Sequence, residues 1–174
     1  MTERLLLVGM MAVGKTTTGQ LCAQRLGWRF LDSDAQLLAE TGRSAQEIFD
    51  DDGDEALRAL ETKVLREAID GPVPVVVAVA GGVVLSEANR SLLITSGVVI
   101  WLRASMETLS DRVARGGARP RLGDDPRRAL RDLYAARHPF YASVAKFVID
   151  VDDLAPEEVV ARILGETGLG DTST

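Results

Sequence analysis

The stretch LLLVGMMAVGKTTTGQL, residues 5–21, most constrains what this chain can fold into. An apolar run breaks at glycines and is followed by a lysine and three threonines, so that Gly9, Gly14, Lys15 and Thr16 satisfy the pattern G-x-x-x-x-G-K-[ST]. The pattern stands between a predicted strand and a predicted helix, the context that a phosphate-binding loop requires. Backbone N–H groups of such a loop wrap a phosphate, and the helix N-terminus adds partial positive charge. We therefore predict a phosphate-binding loop here.

The same apolar opening also resembles the core of a secretion signal. Glu3 places a negative charge where a signal peptide carries positive ones, and no A-x-A cleavage pattern precedes Lys15. No apolar run approaches the roughly 20 residues that a helix needs to span a bilayer. The single cysteine, Cys22, excludes an internal disulfide and a cysteine-cluster metal site, and its apolar neighbours predict a buried thiol. We therefore expect a cytoplasmic protein without a membrane partner.

The charge distribution is uneven along the chain. The formal net charge is −6, which disfavours a general nucleic-acid binder because such a protein needs a basic face. Between Arg112 and Arg137, however, eight arginines stand against three aspartates. This clustering predicts an anionic ligand near the segment. An arginine-rich composition of the whole chain, 17 arginines against three lysines, is an alternative explanation of the excess but not of the clustering.

Continuous apolar runs rich in β-forming residues alternate with helix-length segments, and these runs lie at 4–9, 28–32, 74–80, 97–103 and 146–151. Such runs are typical of strands buried on both faces of a parallel sheet, so we predict an α/β fold with a five-stranded parallel sheet flanked by helices. Helices are expected to begin near Lys15 and to span 54–69, 86–96, 105–115, 126–138 and 156–166, with Ser33, Ser86 and Ser105 as candidate caps. We expect one domain over 1–166, a mobile Gly- and Pro-marked loop at about 115–126, and a flexible tail at 167–174.

Two aspartates in the sequence LDSD, Asp32 and Asp34, follow the second predicted strand. Ligands of open α/β sheets bind at the carboxyl ends of the strands, and residues two apart on a continuing strand point to the same side. We therefore predict that both face the phosphate-binding loop, Asp32 to hold Mg²⁺ through water and Asp34 to meet an acceptor hydroxyl. A helix N-cap is the alternative role of Asp34.

Missing motifs separate the classes of protein that use such a loop. No [NT]-K-x-D sequence follows a later strand, which excludes a typical GTPase. The third predicted strand runs into Gly81 and Gly82 rather than an acidic residue, which disfavours a motor-type ATPase. These absences favour a kinase.

Further motifs occur in order along the chain, namely TGRSAQEIFDDDGDEALRALE at 41–61, AGG at 80–82, GARPRL at 117–122 and ARHPFYASVA at 136–145. Together with the loop and LDSD, they resemble shikimate kinases over about residues 3–165. The resemblance implies a P-loop kinase of the nucleoside-monophosphate-kinase-like type, with substrate-binding helices at about 33–62 and a lid at about 115–126. It also implies that ATP and Mg²⁺ are used to phosphorylate the 3-hydroxyl of shikimate. We expect a monomer.

The resemblance assigns residues to the acceptor, shikimate. Asp34 matches an aspartate that holds the ring hydroxyls, while Arg58 and Arg137 match arginines that grip the carboxylate. The planar fork of an arginine suits this, because it can bind a carboxylate through two hydrogen bonds. The glycine matching Gly81 meets the substrate through its backbone N–H. The implied acceptor pocket also includes Phe49 and Gly82.

On the nucleotide side, the resemblance implies that Arg112 and Pro156 sandwich the adenine and that the lid residue Arg119 crosses to the phosphates and the substrate. Lys15, Asp34 and Arg119 are then the catalytic residues. The metal residues are Thr16 and Asp32. The nucleotide-binding residues of the loop are Gly9, Ala12, Val13, Gly14, Lys15, Thr16 and Thr17.

Four positions depart from the family pattern. Ala80 replaces a glycine, Leu57 replaces a phenylalanine of the pocket wall, Asp54 stands where glutamate is usual, and Arg121 occupies an apolar lid position. These departures leave the kinase prediction intact but keep a related acceptor open, such as an amino-shikimate or a gluconate-type alcohol, or a nucleoside monophosphate. A catalytically silent nucleotide-binding regulator is disfavoured because Asp34 is present.

Some of these side chains also have ordinary structural interpretations. Arg58 and Glu61 stand three residues apart on one predicted helix and are able to form a surface ion pair. Arg119 has an alternative as a solvated loop charge. His138, the only histidine, precedes a proline at an expected helix end, where we expect it to serve the surface or the packing.

Overall fold

Five strands form one parallel sheet in the computed structural model, which describes residues 3–116 and 122–169. The strands are β1 (Arg4–Val8), β2 (Arg29–Asp32), β3 (Val75–Ala78), β4 (Val98–Arg103) and β5 (Phe147–Asp150). Their order across the sheet is β2-β3-β1-β4-β5, so β1 lies at the centre. The predicted five-stranded parallel sheet is therefore confirmed.

The three inner strands, β3, β1 and β4, carry apolar side chains that are buried on both faces of the sheet. Leu6 of β1 is aligned with Val77 of β3 and with Val99 of β4, and all three side chains are buried. This register also brings the carboxyl ends of β1 and β3 to the same edge. The loop after β1 and the segment after β3 consequently lie side by side.

Seven helices surround the sheet in the described ranges. They are α1 (Lys15–Leu26), α2 (Ser33–Thr41), α3 (Ala45–Asp70), α4 (Glu87–Ser96), α5 (Met106–Arg115), α6 (Pro126–Val144) and α7 (Pro156–Thr167). Ser86 and Ser105 cap α4 and α5 as predicted. The prediction for Ser33 is wrong, because the side chain of Asp32 accepts hydrogen bonds from the N–H groups of Asp34 and Ala35 and so caps α2.

Helices α2 and α3 build a small apolar cluster apart from the main core. Leu37, Ile48, Leu57 and Val64 form it. Helix α3 begins with a capping box between Ser44 and Glu47, and it is kinked at Gly53, whose φ of 88° favours glycine. The kink separates the part of α3 that carries Phe49 from the part that carries Arg58.

Helix α6 is longer than predicted. It continues through Pro139 to Val144 rather than ending at residue 138, because Tyr141 and Val144 are buried in the main core. This burial offsets the cost of about 3 kcal/mol that a proline carries inside a helix. His138 accordingly lies within the helix and packs its ring against Trp101 and Tyr134.

The single cysteine lies in the core. Cys22 is fully buried as predicted, and burial, opposed in part by Arg25, raises the pKa of its thiol to about 12. None of the helices in the described part of the chain has the length and hydropathy required to cross a membrane.

Candidate active site

The phosphate-binding loop connects β1 to α1 with a backbone that depends on glycine. A β-carbon at Gly9 would lie 2.5 Å from the carbonyl oxygen of Leu102 in β4. Gly14 precedes α1 with a φ of 104°. The Lys15 ammonium donates hydrogen bonds to the carbonyls of Gly9 and Met10, at 2.9 and 3.0 Å. The loop therefore closes around its own lysine next to the positive end of α1.

Thr16 and Asp32 meet beside this loop. The Thr16 hydroxyl donates to Asp32 Oδ2 at 2.5 Å, and the other carboxylate oxygen of Asp32 caps α2. Strand β2 ends at Asp32, as in the predicted run 28–32, and the helix starts at once, so the strand does not continue to Asp34. Asp34 stands instead in the first turn of α2.

Asp32 and Asp34 nevertheless line one cavity together with the loop. This cavity has a volume of about 320 Å³ and its lining is Met11, Ala12, Gly14, Lys15, Thr16, Thr17, Asp32, Asp34, Ala78 and Val79. It lies at the carboxyl ends of β1, β2 and β3, where open α/β sheets bind their ligands. The structure thus brings the loop lysine, a hydroxyl and two carboxylates into one space.

Two arginines converge on the glycines that follow β3. A β-carbon at Gly82 would collide with the guanidinium of Arg58 from α3, and one at Gly81 would lie 3.1 Å from Nη1 of Arg137 in α6. Arg137 is only 4% exposed. Larger residues at these two positions would displace the guanidinium groups from the backbone. The two arginines lie far apart in sequence, and the fold alone brings them together.

Arg58 is held between two carboxylates. Its guanidinium pairs with Glu61 at 2.5 Å and with Asp54 at 3.0 Å. Glu61 is 4% exposed, so the surface-pair interpretation is wrong, and Asp54 is exposed. The Nε atoms of both Arg58 and Arg137 are buried and lack a hydrogen-bond partner among the described residues. Buried donors of this kind are expected to receive an anionic acceptor.

Tyr141 belongs to this site although the sequence did not single it out. Its hydroxyl donates to the carbonyl of Gly81 at 2.7 Å. Burial raises its pKa to about 12, against the opposing charge and hydrogen bond of Arg137. The only signal in the sequence was its spacing, because a residue four positions after Arg137 lies on the same helical face.

The remaining predicted nucleotide-binding residues are Arg112, Pro156 and Arg119. Nη1 of Arg112 donates to the carbonyls of Val13 and Ala12, at 3.0 and 3.4 Å, so this arginine lies against the loop. Pro156 is the first residue of α7. Arg119 and Arg121 lie outside the described residues, as does the rest of 117–121 within the predicted lid at 115–126.

Phe49, Leu57 and Ala80 are the other residues that the sequence connected with the acceptor pocket. Phe49 is 38% exposed in the first part of α3. Leu57 is fully buried in the small cluster of α2 and α3, and Ala80 is also buried. Neither Leu57 nor Ala80 belongs to the lining of the cavity that holds Asp34. These two departures from the family pattern therefore lie outside the lining of that cavity.

Comparison with known proteins now identifies the family. The family model for shikimate kinase matches residues 11–167. A shikimate kinase from Ruegeria pomeroyi is 40% identical over 163 residues, which are 93% of this chain and 83% of the relative. This chain belongs to the shikimate kinase family. It is an enzyme that uses ATP to phosphorylate the 3-hydroxyl of shikimate, giving shikimate 3-phosphate and ADP.

Solved structures agree with this family. A shikimate kinase from Acinetobacter baumannii in complex with shikimate superposes with a TM-score of 0.91 at 34% identity, covering 99% of this chain and 96% of that one. A deoxyadenosine kinase from M. mycoides, 14% identical, shares the fold with a TM-score of 0.61, covering 95% of this chain and 98% of that one. The P-loop kinase fold of the nucleoside-monophosphate-kinase-like type is thereby confirmed.

Proposed function

We propose that the protein phosphorylates shikimate at the joint site formed by the cavity with Asp34 and the two arginines beside Gly81 and Gly82. The observation that carries this proposal is the convergence of Arg58 and Arg137 at the end of β3, a few residues beyond the Ala78 and Val79 that line the cavity. An acceptor with a carboxylate at one end and a hydroxyl at the other fits such an arrangement. The A. baumannii relative was solved with shikimate, which supports this acceptor.

The carboxylate of the acceptor binds between Arg58 and Arg137 in this proposal. Both arginines have a buried Nε donor that finds no partner among the described residues. The carboxylate takes up these donors and competes with Asp54 for Arg58, while the buried Glu61 holds the guanidinium from behind. Two guanidinium groups from separate helices fix the orientation of the carboxylate and hence of the ring. Phe49 borders the ring and Gly81 donates its N–H.

The nucleotide binds along the loop. Backbone N–H groups from Gly9 to Thr17 surround the phosphates, and Lys15 moves its charge from the loop carbonyls to the outer phosphates. Arg112, already against the loop, and Pro156 flank the adenine. We propose Arg119 as the lid arginine that reaches the transferred group.

Thr16 and Asp32 fit a Mg²⁺ ion. Mg²⁺ prefers hard oxygen ligands, keeps several waters and takes one or two carboxylates together with substrate phosphates. The paired hydroxyl and carboxylate beside the loop provide such oxygens. The described ranges contain no cluster of three or more acidic, histidine or cysteine side chains that could hold a metal. A Mg²⁺ ion bound together with substrate phosphates does not require such a cluster. The bound ion would neutralise charge on the phosphates.

We expect Thr16→Val to weaken the response to Mg²⁺. Valine keeps the shape of threonine but removes the hydroxyl oxygen, so we expect the Mg²⁺ concentration for half-maximal rate to rise about tenfold, the effect of roughly 1.4 kcal/mol. The measurement is a Mg²⁺ titration of ADP release at saturating shikimate. Thr95→Val, on the exposed surface of α4, is the matched control. An unchanged Mg²⁺ titration for Thr16→Val would exclude Thr16 as a metal residue.

Phosphoryl transfer then depends mainly on the alignment of the two reactants and on neutralisation of the charge in the transition state. The transition state is loose, with charge on the equatorial oxygens, and Lys15 with Arg119 neutralises it. Asp34 orients the 3-hydroxyl in line with the γ-phosphoryl group. It accepts the hydroxyl proton late, as the new O–P bond forms and the bond to the ADP oxygen breaks. Holding both reactants in line contributes about 7 to 11 kcal/mol to lowering the barrier.

We further propose that the kinase domain spans residues 1–166, that the protein acts as a monomer and that it works in the cytoplasm. The net charge of −6 disfavours a nucleic-acid partner.

The test of the proposed function is ADP release with ATP and Mg²⁺ in the presence of different acceptors. We expect release that depends on shikimate and that falls at least a hundredfold, in kcat/KM, with gluconate, AMP or the methyl ester of shikimate. The methyl ester keeps every hydroxyl but lacks the carboxylate charge that the two arginines would bind. Equal rates with shikimate and its ester would contradict the proposed carboxylate site, and turnover only with AMP would contradict the acceptor.

A further inference from the structure

Tyr141 makes contacts that link the two halves of the acceptor site. It lies on α6, one turn after Arg137, and is fully buried. Its hydroxyl donates to the carbonyl oxygen of Gly81 at 2.7 Å. The guanidinium of Arg137 lies beside the same hydroxyl, since a β-carbon at Gly81 would lie 3.1 Å from Nη1 of Arg137 and 3.3 Å from the Tyr141 hydroxyl. One phenol oxygen therefore contacts the backbone after β3 and lies beside one of the two arginines that approach that backbone.

The bond to Gly81 fixes the orientation of a peptide plane. A peptide unit is planar and trans, so the carbonyl of Gly81 and the N–H of Gly82 point in opposite directions. Because the carbonyl is directed at Tyr141, the N–H of Gly82 is directed away from it. The two glycines have no side chains of their own to hold this orientation, and glycine backbones are conformationally free. The N–H of Val83 donates to the carbonyl of Ala80 and closes the turn around both glycines, and the bond from Tyr141 adds a restraint on the peptide plane between them.

The phenol itself is held rigidly. The indole ring of Trp101 packs against the ring of Tyr141 with centroids 5.9 Å apart, and Trp101 is buried in β4. Aromatic rings with few rotatable bonds, packed in a core, hold the polar atom at their tip in one place. The position of the hydroxyl is thus determined by packing against the buried strand β4.

We propose that Tyr141 is a positioning residue for the acceptor carboxylate, which holds the Gly81–Gly82 backbone and the Arg137 guanidinium in the arrangement that binds this anion. This inference rests on the proposed function, because it requires that the carboxylate binds at Arg137. Tyr141 does not touch the reacting hydroxyl in this proposal, so it acts on acceptor binding and not on the chemical step.

The hydroxyl keeps its proton under working conditions. Burial raises the pKa of Tyr141 to about 12, well above its ordinary value, so the hydroxyl is protonated and donates to Gly81 near neutral pH. The contribution of Tyr141 is therefore constant between pH 6 and pH 9.

Tyr141→Phe removes only the hydroxyl and tests the proposal. It leaves the buried carbonyl of Gly81 and the guanidinium of Arg137 without this partner. We expect KM for shikimate to rise about tenfold, with kcat and KM for ATP changed less than twofold. Tyr134→Phe, the same substitution two turns earlier on α6, is the matched control and is expected to leave all three constants unchanged.

The methyl ester of shikimate distinguishes a positioning role from a general loss of structure. It has no carboxylate charge to be positioned, so wild type and Tyr141→Phe are expected to differ less than twofold in kcat/KM for the ester. An equal loss with shikimate and with the ester would overturn the proposal, as would a KM for shikimate within twofold of wild type. If wild type shows no shikimate-dependent ADP release, the proposed function itself fails instead.

A measurement on the wild-type protein avoids dependence on the folding of the variant. The chain has two tyrosines, so labelling tyrosine with ¹³C at the ring carbon that bears the hydroxyl gives two resonances, assigned with Tyr134→Phe. We expect the Tyr141 resonance to shift when shikimate saturates the protein and the Tyr134 resonance to stay in place. A Tyr141 resonance that is unmoved by saturating shikimate would also overturn the proposal.

Discussion

Replacing Asp34 by asparagine is expected to lower kcat for shikimate phosphorylation about a thousandfold. Asparagine has the same shape and is able to hydrogen-bond the hydroxyl, but it cannot accept the proton, and general-base catalysis is worth about 10² to 10⁴ in rate. The N–H of Asp34 that bonds to Asp32 belongs to the backbone and remains. The measurement is steady-state ADP release, with a separate titration of ATP binding.

ATP affinity is the internal control for Asp34→Asn, and it is expected to change less than twofold because Thr16, Lys15 and Asp32 are unaltered. Asp70→Asn is the matched substitution, since Asp70 is exposed at the end of α3 and far from the loop. A kcat within tenfold of wild type would contradict the assignment of Asp34 as the group that accepts the proton.

Replacing Arg58 by alanine is expected to raise KM for shikimate about a hundredfold while KM for ATP changes less than threefold. Truncating one partner of a buried charge pair costs about 2 to 5 kcal/mol, and each 1.4 kcal/mol is tenfold in affinity. Arg58 lies against Gly82 and away from the phosphate-binding loop, so its loss is specific to the acceptor. Kinetics with each substrate varied in turn provide the measurement.

The buried carboxylate of Glu61 complicates this variant, because alanine leaves it without the Arg58 charge. Arg58→Lys keeps a positive charge beside Glu61 but loses the planar fork, so an intermediate rise of about tenfold in KM for shikimate is expected. Arg66→Ala, exposed on the same helix, is the matched control. Equal losses for ATP and shikimate in both Arg58 variants would contradict the assignment.

The acceptor site differs from the nucleotide site in how far it was predictable. The loop from Gly9 to Thr16 is continuous in sequence, and its glycines, lysine and threonine have fixed roles at fixed spacing, so its presence and its flanking strand and helix followed from the sequence. Arg58 and Arg137 come from different helices, and no local pattern states that they meet at Gly81 and Gly82. Only the resemblance to a family had suggested it.

Two local features, the cap of α2 and the end of α6, differ from the sequence predictions. Asp32 rather than Ser33 caps α2, because strand β2 ends at Asp32 and its carboxylate faces the first N–H groups of the helix that follows at once. Pro139 predicted a helix end beside His138, but α6 continues since burial of Tyr141 against the sheet outweighs the local preference of proline.

The sequence by itself determined the alternation of strands and helices, the phosphate-binding loop and the buried thiol of Cys22, because each depends on neighbours along the chain. The tertiary structure decided which distant side chains share a space. It places the Tyr141 hydroxyl in hydrogen-bond contact with Gly81 and pairs the buried Glu61 with Arg58. It also packs Leu57 into the small apolar cluster rather than the cavity lining. Those outcomes depend on how the helices pack on the sheet, and packing is a property of the whole chain.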